Sequence, residues 1–275
     1  MNDTLVIIPI RLKASRFPNK PFAKIGDLPM LHHVYNRVID FTENVILAIC
    51  DQEVKEYCEK MDLKHVMTDP NHPSGSDRIG EALKKLGDNK YFRYVINVQG
   101  DMPFIKENHI NLLKERLLKF QMSTLACPFV NLNEAYNSSK VKVLIDENNC
   151  ALDFSRTLDD KLKVNKSIFH HIGIYGYHID FLSNFISLSP TQRELSEKLE
   201  QLRIIETNKI GISIIKEEIL GVDSQEDLDR VNRLIYKKLI KKYLFKELRE
   251  HTVILQCKSS SLGQNRYPAK HLRLL

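Results

Sequence analysis

Residues 8–21 read IPIRLKASRFPNKP and set Arg11, Lys13, Arg16 and Lys20 behind an apolar run, with Lys24 just beyond. The stretch has no glycine, whereas a phosphate held after a first strand is usually wrapped by glycine-borne N–H groups. Pro18 and Pro21 stiffen the segment. Arg11, Arg16 and Lys20 are therefore candidates for holding a polyphosphate by side-chain cations, and Lys13 and Lys24 read as solvated. The plain alternative for any one of them is a solvated basic loop. Neither G-x-x-x-x-G-K-[ST] nor G-x-G-x-x-G occurs, which disfavours a P-loop NTPase and a dinucleotide oxidoreductase.

Three further stretches carry candidate chemistry. VINVQGDMPFI (95–105) delivers Asp101 through Gln99 and Gly100 at the end of an apolar run. An acid there suits Mg²⁺ shared with substrate phosphates, and a turn is the bland alternative. NHPSGSDR (71–78) offers Ser74, Gly75 and Ser76 at the start of a helical pattern, with Arg78 one turn in; a serine there also reads as an N-cap. In GVDSQEDL, Asp223 precedes Ser224 and becomes a second metal ligand only if the fold brings it opposite Asp101. His170 and His171 lie in an apolar strand run without the partners of a zinc site, and read as core histidines.

The elements that must position these residues alternate. TLVIIPI (4–10), NVILAIC (44–50), KHVMT (64–68) and YVINVQGD (94–101) read as buried strands. Between them, residues 28–41, 51–62 and 76–87 have helical spacing, with Asp51 as a candidate cap and Gly87 as a candidate stop. This rhythm predicts an α/β fold with a mostly parallel central sheet, which binds ligands beyond the carboxyl ends of its strands. STLACPFV, VKVLID, FHHIGIYGYHI and GISIIKE then read as strands of a mixed-sheet second half. One long helical pattern starts at Ser224, with Asp227 completing a near capping box. The expectation is a single domain over 1–242, its nucleotide half about 1–120 and its second half about 121–242. A basic, loosely ordered tail over 243–275 follows.

The formal net charge is +6, but residues 236–275 carry ten Lys and Arg against two acids, a net of +8, which leaves −2 for the body. That argues against a nucleic-acid partner. Five scattered cysteines without a C-x-x-C pair point to a reduced, cytoplasmic compartment. No run is long enough for a signal peptide or a membrane span, so no stable membrane insertion is expected.

Taken in order, these stretches resemble the 3-deoxy-manno-octulosonate cytidylyltransferase family, which makes CMP-Kdo. IPIRLKASRFPNKP is similar to I-P-A-R-x-x-S-[ST]-R-[LF]-P-x-K-P, HPSGSDR to H-x-S-G-[ST]-[DE]-R and VQGDMPFI to V-Q-G-D-x-P-x-I. HHIGIYGY, LEQLR and VDSQEDL follow at family-like spacing, and the resemblance runs from about residue 4 to 235. It implies a GT-A/Rossmann-like nucleotidyltransferase that joins CTP and Kdo, with Mg²⁺, to give CMP-Kdo and pyrophosphate for lipopolysaccharide assembly. It further implies that Arg11, Arg16 and Lys20 hold the CTP phosphates, and that Ser74, Gly75, Arg78 and Gln99 contribute to the nucleotide pocket. Asp101 and Asp223 would bind Mg²⁺. Arg156, His171, Tyr175, Glu200 and Gln201 would lie near the sugar, and the assembly would be a homodimer formed through the second half.

The sequence departs from the family pattern at Ala14, Met102, Asp153 and His178, and shortens the loop after Arg156. These departures leave open another acidic sugar, such as a sialic-acid-like nonulosonate, or a site-impaired homologue. The Lys-rich and apolar faces of IYKKLIKKYLFKEL keep a tail that binds anionic membrane as a reading of a different class.

Overall fold

The computed structural model describes residues 2–13, 17–87, 91–158 and 167–237. The chain divides into two compact units, Met1–Leu228 and Asp229–Leu275. In the first, strand β1 (Thr4–Pro9) leads through a short hairpin, β2 (Lys24–Ile25) and β3 (Leu28–Pro29), into helix α1 (Met30–Ile39). β4 (Val45–Ile49), α2 (Gln52–Lys60), β5 (His65–Met67), α3 (Gly75–Lys85) and β6 (Tyr94–Asn97) follow. Then come α4 (Glu107–Leu117), β7 (Met122–Cys127), β8 (Lys142–Ile145), β9 (Ala151–Ser155) and β10 (Ile168–His178). Helices α5 (Ile179–Ser187) and α6 (Gln192–Glu197) and strand β11 (Ile210–Ile214) complete the sheet half. A helical run over 225–237 begins at the end of this unit. The expected helix beyond it, the boundary at 242 and the tail 243–275 lie outside the described residues.

One nine-stranded sheet organises the unit, in the order β11-β7-β10-β6-β1-β4-β5, with β8 pairing β10 and β9. β6, β1, β4 and β5 run parallel, as does the β11–β7 pair, and β10 is antiparallel to both β6 and β7. The parallel strands are short runs of Val, Ile and Leu because both of their faces are covered. Leu5, Ile7 and Val95 pack in one core with Ile79 and Leu83 of α3 and Phe185 of α5. Gly80 lets α5 approach: a Cβ there would stand 2.5 Å from Ile186 Cδ1. Gly87, at φ +74°, ends α3 with its N–H on Lys84 O.

Asp51 departs from its expected use. It stands at the N-cap of α2 without capping it; its carboxylate accepts the Leu12 N–H at 2.8 Å instead, tying the basic segment to the end of β4.

A buried ionic cluster fastens the second half to the first. Arg203, with only 1% of its side chain exposed, donates to Glu194 Oε1 at 2.6 Å and Oε2 at 2.9 Å, and to Asp77 Oδ1 at 3.1 Å. Its guanidinium also lies 4.6 Å from the Phe185 ring centre. Replacing it (Arg203→Met) would leave two buried carboxylates facing one another. The expected loss is about 3–5 kcal/mol of folding stability, read as a lowered urea midpoint at unchanged m-value; an unchanged midpoint would refute the role.

Candidate active site

Beyond the carboxyl ends of β1 and β6 lies a crevice of about 240 Å³ lined by Arg11, Phe17, Lys20, Gln99, Asp101 and Asp223. It opens where strand order reverses about β1, the ligand-binding position of open α/β sheets. Lys20 Nζ stands 2.6 Å from Asp101 Oδ2 and 3.0 Å from Asp223 Oδ1. The fold thus meets the condition on which a shared role for the two acids rested.

Local backbone chemistry builds this meeting point. Lys20 opens a single 3₁₀ turn, Lys20–Phe22, after Asn19 at φ 54°, a left-handed conformation that asparagine tolerates. Asp101 leaves β6 through Gly100, where a Cβ would stand 2.4 Å from Ile10 Cδ1 and 3.1 Å from Pro9 O. The Val222 N–H donates to Asp101 O at 3.0 Å and so draws the next residue, Asp223, alongside. Asp227 accepts the N–H groups of Asp223 (3.1 Å) and Ser224 (3.0 Å), while its own N–H donates to Ser224 Oγ (3.2 Å). That reciprocal cap holds the turn carrying Asp223.

Burial pushes the Lys20 pKa down, but the charges of Asp101 and Asp223 and their hydrogen bonds outweigh it, so the ammonium is held protonated. Two carboxylates sharing one cation form an oxygen donor set that fits a hard divalent ion completed by water and phosphate oxygens. Among the described residues no cluster of three or more His, Cys, Asp or Glu is arranged to hold a metal.

A hollow of about 110 Å³ continues from the crevice between Arg11, His72, Ser74, Gly75, Arg78 and Gln99. Ser74 caps α3, accepting the Asp77 N–H at 3.2 Å. Arg78 donates from Nη1 to Thr68 Oγ1 (2.6 Å) and Asp69 O (3.1 Å), and its buried Nη2 has no partner among the described residues. Asn97 Nδ2 is likewise buried and unpartnered, while its Oδ1 accepts from Gln99 Nε2 at 3.3 Å. Sequence reasoning passed over Asn97 and His72, the latter fixed by Glu81. The available signal for Asn97 was an amide inside an otherwise apolar strand.

On the other side of Asp101 and Asp223 a cavity of about 510 Å³ is lined by Met102, Lys140, His170, His171, Gly173 and Glu218, among others. His171 is buried against Phe154 and Tyr175, and burial pushes its pKa down to about 3. The Thr124 hydroxyl spends its proton on the Ile174 carbonyl at 2.7 Å, so His171 Nε2 is the donor in their 2.9 Å bond. Between Ile172 and Tyr175 the β10–β7 register slips, and Gly173 and Ile174 bulge at the cavity wall.

Tyr175 donates to Gln201 Oε1 at 2.9 Å, and Gln201 Nε2 is buried without a partner. Glu200 accepts from Ser76 N (3.2 Å) and Ser76 Oγ (2.7 Å). Burial raises its pKa against the lowering effect of these serines. Arg156 is near enough for its charge to act on His171 and Tyr175, but its guanidinium is engaged by backbone, donating to the carbonyls of Glu197 (2.6 Å), Ser138 (3.3 Å) and Lys198 (3.4 Å). The reason is local, since the carboxyl end of α6 presents carbonyls that attract a cation. His178 bonds Leu117 O at 2.8 Å and Asp153 pairs with Arg193 at 2.8 Å, so both serve packing and surface pairing. Arg16 and Ala14 lie outside the described residues.

A family profile described as cytidylyltransferase matches residues 5–217. The chain is 39% identical over 238 residues to a 3-deoxy-manno-octulosonate cytidylyltransferase of Leptospira interrogans, covering 84% of this chain and 95% of that one. It is 38% identical over 248 residues to the enzyme of that name from Francisella tularensis subsp. holarctica, covering 85% and 99%. A solved CMP:2-keto-3-deoxy-manno-octonic acid synthetase complexed with CTP superposes with a TM-score of 0.76 at 30% identity, over 86% of this chain and 99% of that one.

The close approach at Gly100 generates a paired test. Gly100→Ala should destabilise the protein by about 1–3 kcal/mol through overpacking. Adding Ile10→Val, which removes the obstructing Cδ1, should recover part of the loss in thermal denaturation. Strictly additive losses would refute the steric account.

Proposed function

Because the chain belongs to the cytidylyltransferase family, we propose that its crevice transfers CMP from CTP to the anomeric hydroxyl of Kdo, releasing pyrophosphate. The observation that carries the reading is the Lys20 ammonium shared by Asp101 and Asp223 beside Arg11, in a crevice continuous with acceptor-sized space. In-line displacement at the α-phosphorus asks the protein for positioning and charge neutralisation rather than for a covalent nucleophile. Arg11, Arg16 and Lys20 are the cations assigned to the triphosphate and to the charge that grows on the departing pyrophosphate. Cys50, whose Sγ lies 3.8 Å from the carbonyl of crevice-lining Ile10, is held inert, its pKa pushed by burial up to about 11.

Ser74, Gly75, Arg78 and Gln99 are assigned to the nucleotide, and the unpartnered Arg78 Nη2 and Asn97 Nδ2 supply donors on that side. His171, Tyr175, Glu200 and Gln201 are assigned to the sugar, where Gln201 Nε2 supplies another; Arg156 supports their surroundings from the end of α6. Asp101 and Asp223 are the residues that would hold Mg²⁺, which when bound supplies positive charge to the reacting phosphates. Among the described residues no helix is long and apolar enough to cross a membrane. Free cysteines suit a cytoplasmic enzyme serving lipopolysaccharide assembly, and a homodimer through the second half completes the reading.

Pyrophosphate release with Mg²⁺ should require CTP among the nucleoside triphosphates and Kdo among acidic sugars. Turnover of CTP with a different acidic sugar only would overturn the acceptor assignment. Asp101→Asn and Asp223→Asn should each lower kcat by about 100-fold or more while CTP binding persists. Near-normal kcat in either variant would remove that carboxylate from the reaction.

A further inference from the structure

The acceptor cavity holds a charged cluster that none of the roles above uses. Lys140 Nζ pairs with Glu218 Oε2 at 2.7 Å and with Glu134 Oε2 at 2.9 Å, and Glu218 Oε1 lies 3.3 Å from His170 Nδ1. Lys140, His170 and Glu218 line the cavity together with Asp101 and Asp223, and Ile219 and Gly221 line the span between the two groups. That span is short. Glu218 is four residues before Val222, which is anchored on the Asp101 carbonyl, so the chain between them reaches at most about 14 Å. A sugar acid of eight carbons with its reacting end at Asp101 and Asp223 therefore brings its other end within reach of Glu218.

The chemistry of the cluster selects what that end can be. A carboxylate offers about four lone-pair sites, and its contacts with Lys140 and His170 leave Glu218 with sites to spare. Glu218 shares the Lys140 ammonium with Glu134, and burial pushes His170 down to about 4, with the charges of Lys140 and Lys142 also acting to lower it. The remaining acceptor sites of Glu218 can take hydroxyl protons. Resting on the proposed reaction, we infer that Glu218 is a specificity-determining residue that receives the exocyclic glycol hydroxyls of the acceptor sugar.

Steady-state kinetics of the full chain test this. Glu218→Ala should raise KM for Kdo about tenfold, the worth of a hydrogen bond to a charged group. KM for CTP should stay within twofold and kcat should change less than KM for Kdo. Glu218→Gln, which keeps the shape, should give a smaller rise in the same direction. A Kdo analogue shortened by its two terminal carbons, used as a competitive inhibitor, should have the same inhibition constant with wild type and Glu218→Ala. An unchanged KM for Kdo in Glu218→Ala, or equal weakening of the shortened analogue, overturns the inference while leaving the proposed reaction standing. Wild-type protein that fails to turn over CTP with Kdo overturns both.

Discussion

The active crevice depends on keeping two like charges together. Asp101 follows β6 near the middle of the unit and Asp223 lies near its end, and two unscreened carboxylates at contact repel by several kcal/mol, about 4 at 4 Å in a surface-like dielectric. One ammonium, Lys20, answers both at 2.6 and 3.0 Å. Its own burial is unfavourable and is offset because each carboxylate stabilises its charged form. The fold around the crevice reads as the means of holding these three groups. Asn19 turns left-handed to launch Lys20, Gly100 clears Ile10 to release Asp101, and Val222 clasps the Asp101 carbonyl to deliver Asp223.

This arrangement also accounts for a cation-bearing segment without glycine after β1. A glycine-rich loop brings backbone N–H groups to an anion, and its flexibility is the cost. Here Asp51 takes the Leu12 N–H, Pro18 precedes the 3₁₀ turn and Pro21 sits within it, so side-chain cations project from a braced segment. Arg11 lines both the crevice and the adjoining hollow, which places an exposed cation at their junction.

What was legible in the sequence divides along a physical line. Buried parallel strands were legible because apolar runs bounded by turn residues have few other uses, and Asp101 was legible because it ends such a run. The Ser74 cap and the Gly87 stop were local features and emerged as expected. Long-range pairings were not legible. Whether Asp223 meets Asp101 hangs on one backbone hydrogen bond, and Asp51, a plausible cap by type, was claimed by a loop that sequence spacing cannot place. Arg156 has the right charge for an acidic sugar, yet three carbonyls around the end of α6 take its guanidinium. The bulge at Gly173 and Ile174 was hidden because the hydroxyl that takes up the Ile174 carbonyl, Thr124 Oγ1, lies on another strand.

The L-E-Q-L-R stretch shows how one short motif can serve both framework and site. Arg203 is committed to Asp77 and Glu194, and a buried ionic cluster of this kind contributes specificity of arrangement more reliably than net stability. Asp77 belongs to the first turn of α3, so the cluster seats Glu200 and Gln201 against that turn. Ser76 then donates to Glu200 through both N–H and Oγ, while Ser74, two residues earlier, lines the hollow with Arg11 and Arg78. The residues proposed for the nucleotide and for the sugar therefore meet at a single helical turn, Ser74 to Arg78. A displacement of that turn cannot reposition Ser74 without carrying Glu200 with it, so on the proposed assignment the geometry of donor and acceptor is set by the same few backbone atoms.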